Sequence, residues 1–207
     1  MKTKIKKIAV DWTEIKNECR HTDNKEDTFK EATEKFIKQL LISEHSPIRL
    51  ARIKWSWDGI KSWISVHFAR HWLGWEKWVS TQRTDRTGVN RDKSPQDTPV
   101  NIDVEANAQA LINVSRYRLC KQASKETREY MMDLKASIKD AGQKEISDVM
   151  VPNCIYRMGC PEFKCCGHIQ KFYNFAFNKG YCAADMQDIQ LRYDLYNEFF
   201  YSEVYKK

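Results

Sequence analysis

The sequence lacks a long hydrophobic run: no eighteen consecutive apolar residues occur, which excludes a transmembrane helix. The N-terminus, MKTKIKKIAV, is basic but has neither the apolar core nor the cleavage site of a signal peptide. There is also no internal repeat, no low-complexity tail and no Cys-x-x-Cys pair, the usual unit of a structural zinc site. We therefore expect a cytoplasmic protein with no membrane segment.

What the chain does contain is positive charge and enough length for one domain with a full-sized core. The net charge of +7 favours anionic partners such as nucleotides, nucleic acid or phosphate groups, although solubility alone also explains such a charge. The seven cysteines are an odd number without a secretory signal, so we interpret them as reduced thiols.

The spacing of apolar residues indicates a mixture of short strands and amphipathic helices. Strands are predicted over residues 5–12, 48–57 and 75–80. Helices are predicted over residues 13–20, 27–41, 60–72, 105–120, 124–138, 170–178 and 183–205. Asp58-Gly59 is expected to end the second strand, with Asp58 capping the next helix, and the polar residues 81–98 to form a long loop. The pattern predicts an α+β fold with a small sheet.

The most informative motif is Arg70-His71-Trp72, followed after seven residues by Ser80. An arginine fork matches phosphate or carboxylate oxygens, and an imidazole donates to a carbonyl or stacks on a ring. Further polar residues follow in the loop: Gln82, Arg83 and Arg86. The motif points to a site for an anionic, planar ligand. The alternative is a basic pair that simply finishes a helix, where the helix dipole favours cations.

A second polar pair, Asn113 and Arg118, lies at the edge of a predicted helix whose apolar stripe faces the core. An asparagine offers a donor and an acceptor that together match the edge of a uracil or a flavin. Arg118 is suited to clamp a phosphate or to stabilise negative charge on a ring carbonyl. The alternative is an ordinary solvated helix face.

Together these segments resemble the flavin-dependent thymidylate synthases. That family carries Arg-His-Arg, seven residues and a serine, and here the sequence reads RHW-LGWEKWV-STQR. The family's His-rich turn with Ser-Pro is similar to residues 44–47, and its Asn-Ala helix is similar to NAQALINVSRYRLCKQASKE, preceded by a Pro-x-Asn strand at residues 99–101. The resemblance covers roughly residues 5–135.

This resemblance implies an antiparallel sheet flanked by helices and a homotetramer. It implies reductive methylation of dUMP to dTMP, with FAD as the cofactor, methylenetetrahydrofolate as the one-carbon donor and NADPH as the reductant of the flavin. Residues 1–150 would form the flavin- and nucleotide-binding catalytic domain. Residues 151–207 would be a cysteine-rich helical extension packed on that domain. Neither a membrane nor nucleic acid is expected as a partner.

The resemblance also assigns residues by position. The residues expected to bind FAD are Arg70, His71, Asn113 and His45. The residues expected to bind dUMP are Ser80, Gln82, Arg83 and Arg118. Arg118 is the expected catalytic residue, since it would activate the pyrimidine. Ser80 would contact the ligand without attacking it.

The sequence departs from the family at three places. Trp72 replaces the third basic residue of the signature, Arg83 comes one residue late, and the helical stretch before the Asn-Ala helix is missing. A relative that binds nucleotides without turning them over is therefore a second interpretation.

A third interpretation is a basic, zinc-stabilised module that binds nucleic acid. It depends on a loose cluster near the C-terminus: Cys154, Cys160, Cys165, Cys166, Cys182 and His168. The spacing C-x5-C-x4-CC-x-H is unlike that of zinc sites, so we predict no metal and interpret these cysteines as buried thiols that pack an aromatic tail. The tryptophans between Trp55 and Trp78 are interpreted mainly as core and subunit contacts, with stacking on a ligand as the alternative.

Overall fold

The computed structural model describes residues 2–205, in which the chain forms a four-stranded sheet and a set of helices. The strands are β1 (Thr3–Ala9), β2 (Arg52–Lys61), β3 (Trp75–Val79) and β4 (Pro99–Asn107). The α-helices are α1 (Trp12–Thr22), α2 (Glu34–Ile42), α3 (Ser62–Ala69), α4 (Thr84–Thr87), α5 (Ala108–Arg118), α6 (Lys125–Asp140), α7 (Lys144–Asp148), α8 (Asn153–Tyr156), α9 (His168–Asn178) and α10 (Ile189–Phe199). Short 3-10 turns lie at Ser46–Leu50, Arg91–Lys93 and Asp185–Gln187, and a π-helical turn at Phe200–Val204 follows α10.

The described chain forms two compact units. The first contains residues 2–31 and 46–111, and the second contains residues 32–45 and 112–205. None of the helices described between residues 2 and 205 is long and apolar enough to cross a bilayer.

The sheet belongs to the first unit and is antiparallel throughout, in the order β1-β2-β4-β3. In β4 the residues Val100, Ile102, Val104 and Ala106 are buried while their neighbours are not, which is the alternation that one covered face produces. The predicted α+β class with an antiparallel sheet and flanking helices is confirmed.

Tryptophans fill the core between this sheet and α3. Trp55, Trp57 and Trp75 are fully buried, and Trp55 meets Trp75 edge-on with ring centroids 5.2 Å apart. Trp57 packs on Phe68 of α3 at 4.6 Å, and its indole Nε1 donates to Thr3 Oγ1 at 2.7 Å. Each such aromatic side chain contributes a few kcal/mol of hydrophobic stabilisation, so the core interpretation is correct for these three.

Two expectations at the β2–α3 junction were wrong. β2 does not end at Asp58-Gly59 but continues through a bulge to Lys61, because Gly59 adopts a positive φ of 66° that keeps the strand in the sheet. Asp58 does not cap α3 either, since its carboxylate accepts from Lys4 Nζ at 2.6 Å. The helix ends at Ala69, three residues before Trp72.

Other boundaries also differ from the prediction. The helix expected over residues 27–41 begins only at Glu34, and Phe29, counted there as a core residue, is fully exposed. Residues 48–50 of the strand expected over residues 48–57 belong to a 3-10 turn, and the strand itself begins at Arg52. Residues 105–107, expected at the start of a helix, belong to β4, because pairing with β2 outweighs the helical pattern. The helix expected over residues 183–205 starts at Ile189 and changes to the π turn at Phe200.

The second unit is helical and buries several charge-bearing side chains, among them Asp133, Lys135, Asp148 and Arg192. Lys135 of α6 is completely buried, donates to Asn197 Oδ1 at 2.7 Å and also donates to the carbonyl of Ser147. Burial away from water lowers the pKa of Lys135 to about 7.

The cysteine-rich segment also belongs to the second unit. Cys154 is buried, whereas Cys165, Cys166 and Cys182 are exposed, so the expectation that these thiols pack a core is wrong for those three. Burial raises the pKa of the Cys154 thiol to about 12, which keeps it protonated. Among residues 2–205 no group of three or more His, Cys, Asp or Glu side chains is arranged to hold a metal ion.

Candidate functional site

The corner between α3 and β3 is fixed by a close contact between Gly74 and Asn107. Gly74 has a φ of +67°, and a Cβ there would lie 2.8 Å from Asn107 Cγ, so no larger residue fits. Its carbonyl accepts from the Asn107 backbone N–H at 3.0 Å. Asn107 Oδ1 in turn accepts from the N–H of Ala110 at 2.8 Å, which satisfies the first turn of α5. The motif around Arg70 and His71 therefore sits on a rigid corner.

Arg70 borders a cavity of about 340 Å³ in the first unit. The lining residues are Ser62, Trp63, Val66, His67, Arg70 and Gln96. The loop closes over the start of α3 because Ser62 N donates to Thr98 O at 3.0 Å and Trp63 N donates to Gln96 O at 3.2 Å. Trp63 and His67 meet edge-on at 5.5 Å. A guanidinium beside two rings suits a flat group that carries negative charge.

His71 is held differently from its neighbour Arg70. Its backbone N–H donates to Phe68 O at 3.2 Å, and its carbonyl accepts from Lys77 Nζ at 2.6 Å. Its ring lies 6.0 Å from that of Trp75, at an angle of 62°. The backbone and ring of His71 are thus fixed in place just outside the cavity lining.

Ser80 follows directly after β3 and continues its pairing with β4. Its N–H donates to Asn101 O at 2.8 Å, and its hydroxyl accepts from Asn101 N at 2.9 Å. Asn101 Oδ1 accepts from Gly59 N at 2.9 Å. The hydroxyl of Ser80 is therefore fixed at the sheet edge, and its proton remains available to donate to a ligand.

Arg83 opens the polar loop and is paired with Asp85. The guanidinium donates to both carboxylate oxygens, from Nε to Oδ1 at 3.0 Å and from Nη2 to Oδ2 at 2.7 Å. Both side chains are well exposed, and exposed pairs contribute little to stability. Gln82 is half-buried beside them. Asp85 thus occupies the guanidinium fork of Arg83.

The remaining predicted residues belong to the second unit: His45, Asn113 and Arg118. There Asn113 Oδ1 accepts from Arg116 Nη1 at 3.3 Å, and Arg116 pairs with Glu44, the neighbour of His45. The Arg116 guanidinium lies 3.7 Å from the centre of the Tyr156 ring. Arg116 thus fixes the side chain of Asn113. Arg118 is half-buried in the last turn of α5.

Five lining residues were not predicted: Ser62, Trp63, Val66, His67 and Gln96. Trp63 and His67 lie seven and three residues before Arg70, a spacing that puts all three on one side of a helix, so the sequence carried a usable signal. Gln96 reaches the cavity only because the loop folds back on α3, for which the sequence gives no signal. Trp72, at the third position of the signature, is 70% exposed.

Solved structures with a similar fold are known. Two structures of Thymidylate Synthase X (ThyX) from Helicobacter pylori, both with FAD and dUMP, match with a TM-score of 0.56 and 12% identity, over 72% of this chain and 99% of theirs. The fold is like that of ThyX. The UMP/dUMP methylase PolB from Streptomyces cacaoi, bound with 5-Br dUMP, matches with a TM-score of 0.57 and 12% identity, over 72% of this chain and 94% of that one.

The likeness is one of fold alone, because an identity of 12% carries no family membership. No protein-family model matches the sequence, and no curated protein matches it. Two of the predicted site residues flank neighbouring elements of the first unit. Arg70 directly follows α3, and Ser80 directly follows β3.

Proposed function

We propose that this protein is a flavin-dependent thymidylate synthase-like enzyme that methylates dUMP reductively to dTMP. One observation carries the proposal. A ThyX-like fold coincides with a pattern of Arg-His-Trp, seven residues and Ser that lies at the α3–β3 corner and at the end of β3. Either element alone is weak, since a fold hosts many functions and a short motif recurs by chance.

The residues around Arg70 fit part of FAD. The cavity of about 340 Å³ offers a guanidinium for a phosphate and two rings, those of Trp63 and His67, for a planar group. It is too small to enclose a whole dinucleotide, whose remainder would need other groups. We propose that Arg70, His71, His45 and Asn113 bind FAD in a homotetramer, in which neighbouring subunits supply those groups. When bound, reduced FAD supplies the hydride, and NADPH supplies the electrons for the next turnover.

On the substrate side, Ser80, Gln82 and Arg83 are proposed to bind dUMP. Arg83 would release Asp85 and take the phosphate instead, because a dianion is a stronger partner for the fork than a carboxylate. Ser80, already accepting from Asn101, would donate its hydroxyl proton to the nucleotide. Arg118 would donate to a pyrimidine carbonyl and stabilise the negative charge that develops there as methylenetetrahydrofolate delivers its carbon. No side-chain nucleophile is required.

We further propose that residues 1–150 are the catalytic domain and residues 151–207 an extension packed on it. The extension holds five of the seven cysteines, and its α9 and α10 are rich in aromatic residues. For the nucleic-acid alternative, no cluster of zinc ligands exists among residues 2–205 to support it.

The first test is a visible absorption spectrum of the purified protein before and after addition of FAD and dUMP. We expect a flavin band that shifts when dUMP is added, followed by dTMP formation once methylenetetrahydrofolate and NADPH are present. A protein that ignores FAD and forms no dTMP would refute the proposed activity.

The site assignment is tested separately with Arg118→Ala. This variant should lose at least 100-fold in turnover while keeping its flavin band, as expected for a group that acts on developing charge (roughly 10²–10³-fold). Arg49→Ala, which removes an exposed arginine outside the proposed site, is the matched control. A fully active Arg118→Ala enzyme would contradict the catalytic role.

A second candidate, nucleotide binding without turnover, is favoured by two observations. The third basic residue of the signature is the exposed Trp72, and Arg83 is paired with Asp85. Restoring the charge as Trp72→Arg distinguishes the two. Tighter flavin binding supports this candidate, and unchanged flavin affinity counts against it.

A further inference from the structure

The second unit contains a cavity of about 470 Å³ that includes none of the residues assigned above. It lies between α6 with the turn before it, α9, and the π-helical turn that follows α10. Its volume falls within the range of small-molecule sites. π-helical turns are rare and occur frequently at functional sites.

The rim of this cavity is strongly basic. Lys121, Arg128 and Lys171 line it against a single carboxylate, that of Glu203. Arg128 is oriented by a hydrogen bond from its Nη1 to the Lys121 carbonyl at 3.4 Å. Two amides of α9, Asn174 and Asn178, add further donors. Three cations around one opening match a ligand that carries more than one negative charge.

A buried histidine also lines the cavity. His168 is 3% exposed, and its Nε2 has no hydrogen-bond partner among residues 2–205. Buried polar atoms are nearly always bonded, so an unpartnered one beside a cavity indicates a missing partner. The pKa of His168 is lowered to about 4, mainly by burial and to a smaller extent by the positive charges of Lys121, Arg128 and Lys171. The three cations therefore act together on the imidazole, and a bound anion would offset them.

The inner wall is apolar and aromatic. Phe175 of α9 and Phe199 of α10 contact each other at a tilt of 55°, with ring centroids 5.4 Å apart, and Met132 and Val204 complete this wall. A fully hydrated inorganic ion gains nothing from such a surface, whereas a flat carbon ring does. The cavity therefore combines a cationic rim with an aromatic wall.

We propose that this cavity binds a small phosphomonoester that carries a flat apolar group, with the phosphate at Lys121, Arg128 and Lys171 and the ring against Phe175 and Phe199. A phosphate dianion has three acceptor oxygens and about two charges, which suits three cations better than a monovalent carboxylate does. His168 Nε2 supplies a further contact to the ligand. This site is independent of the proposed dUMP chemistry, since no residue is shared.

The test uses phenyl phosphate as the probe, titrated into the full-length protein by calorimetry, with inorganic phosphate and benzoate as the two comparison ligands. Phenyl phosphate should bind more tightly than both. Lys171→Ala and Arg128→Ala should each weaken its binding roughly tenfold, the usual loss for one charge-assisted hydrogen bond. Lys35→Ala, which removes an exposed charge from α2, should leave the affinity unchanged.

A second readout locates the ligand. The His168 ring resonances, assigned with His168→Gln, should shift on binding of phenyl phosphate, and the imidazole should become easier to protonate as the anion offsets the surrounding charge. Three results would each overturn the proposal: no binding of phenyl phosphate at millimolar concentration, equal binding of benzoate or inorganic phosphate, or an equal effect of Lys35→Ala and Lys171→Ala. Circular dichroism of each variant verifies that it is folded.

Discussion

His168 should make the second unit sensitive to acid, and replacing it should remove that sensitivity. The imidazole is buried against the rings of Tyr196 and Phe199, and the cations that face it are Lys121, Arg128 and Lys171. Its pKa is lowered from 6.5 to about 4, so the folded protein keeps it neutral where the unfolded chain protonates it. Because the unfolded chain binds the extra proton, stability falls as the pH drops from about 6.5 towards 4.

The size of the effect follows from the two pKa values. Between about pH 7.5 and about pH 4.5 this one group removes roughly 2.5 kcal/mol of unfolding free energy, at 1.36 kcal/mol for each pKa unit. His168→Phe replaces the imidazole by a ring that suits the aromatic surroundings and carries no proton. We expect the variant to lose about 2.5 kcal/mol less than the parent over this range.

The assay is urea unfolding at a series of pH values, followed by circular dichroism at 222 nm because the second unit is helical. The comparison is between the changes of unfolding free energy with pH in the parent and in His168→Phe, so a packing cost of the new ring that does not depend on pH cancels. His21→Phe is the control for loss of an exposed imidazole. If the parent and His168→Phe lose stability equally between these pH values, the reasoning about burial is refuted.

Other predictions concern the first unit and the buried lysine. Asp85→Ala should free Arg83 and lower the KM for dUMP severalfold. Because the pair is exposed, the unfolding free energy should change by less than about 0.5 kcal/mol. An unchanged KM in steady-state assays would count against the proposed contact between Arg83 and the phosphate. Gly74→Ala should cost at least about 2 kcal/mol in urea unfolding, because its φ is positive and its Cβ meets Asn107. Lys135 loses its proton near pH 7 in the folded protein but only near pH 10.5 in the unfolded chain, so the parent should gain roughly 3 kcal/mol of stability between about pH 7 and about pH 9.5. Lys135→Met should abolish this rise. A rise that persists in the variant would exclude Lys135 as its source.

The fold class could be predicted from local patterns, whereas the boundaries depended on tertiary contacts. The pattern predictions did not include β4, and only residues 99–101 were expected as a strand, from the family resemblance. The alternation at Val100, Ile102 and Val104 is a strand signal, and the adjoining helical pattern of α5 conceals where the strand ends. Asp58-Gly59 carried the signature of a turn, and only pairing on both sides of β2 keeps it in the sheet. The local propensity for a turn or a helix is overridden where neighbouring strands supply backbone hydrogen bonds.

The candidate site was predictable to a similar degree. The motif at Arg70, His71 and Ser80 could be found from its spacing, and the structure adds Trp63 and His67 on the same side of α3. The pairing of Arg83 with Asp85 could also have been predicted, since the two residues lie two positions apart in one polar loop. The cavity in the second unit could not have been predicted, because it is formed by helices that are distant in sequence.

The distribution of tryptophans gives the two units separate optical labels. All seven tryptophans, from Trp12 to Trp78, lie in the first unit, whereas most of the helical residues belong to the second. Indole emission during denaturation therefore follows the sheet, and ellipticity at 222 nm follows mainly the helices. Coincident curves would mean that the chain unfolds cooperatively as one body, and separated midpoints would mean that one unit survives the loss of the other.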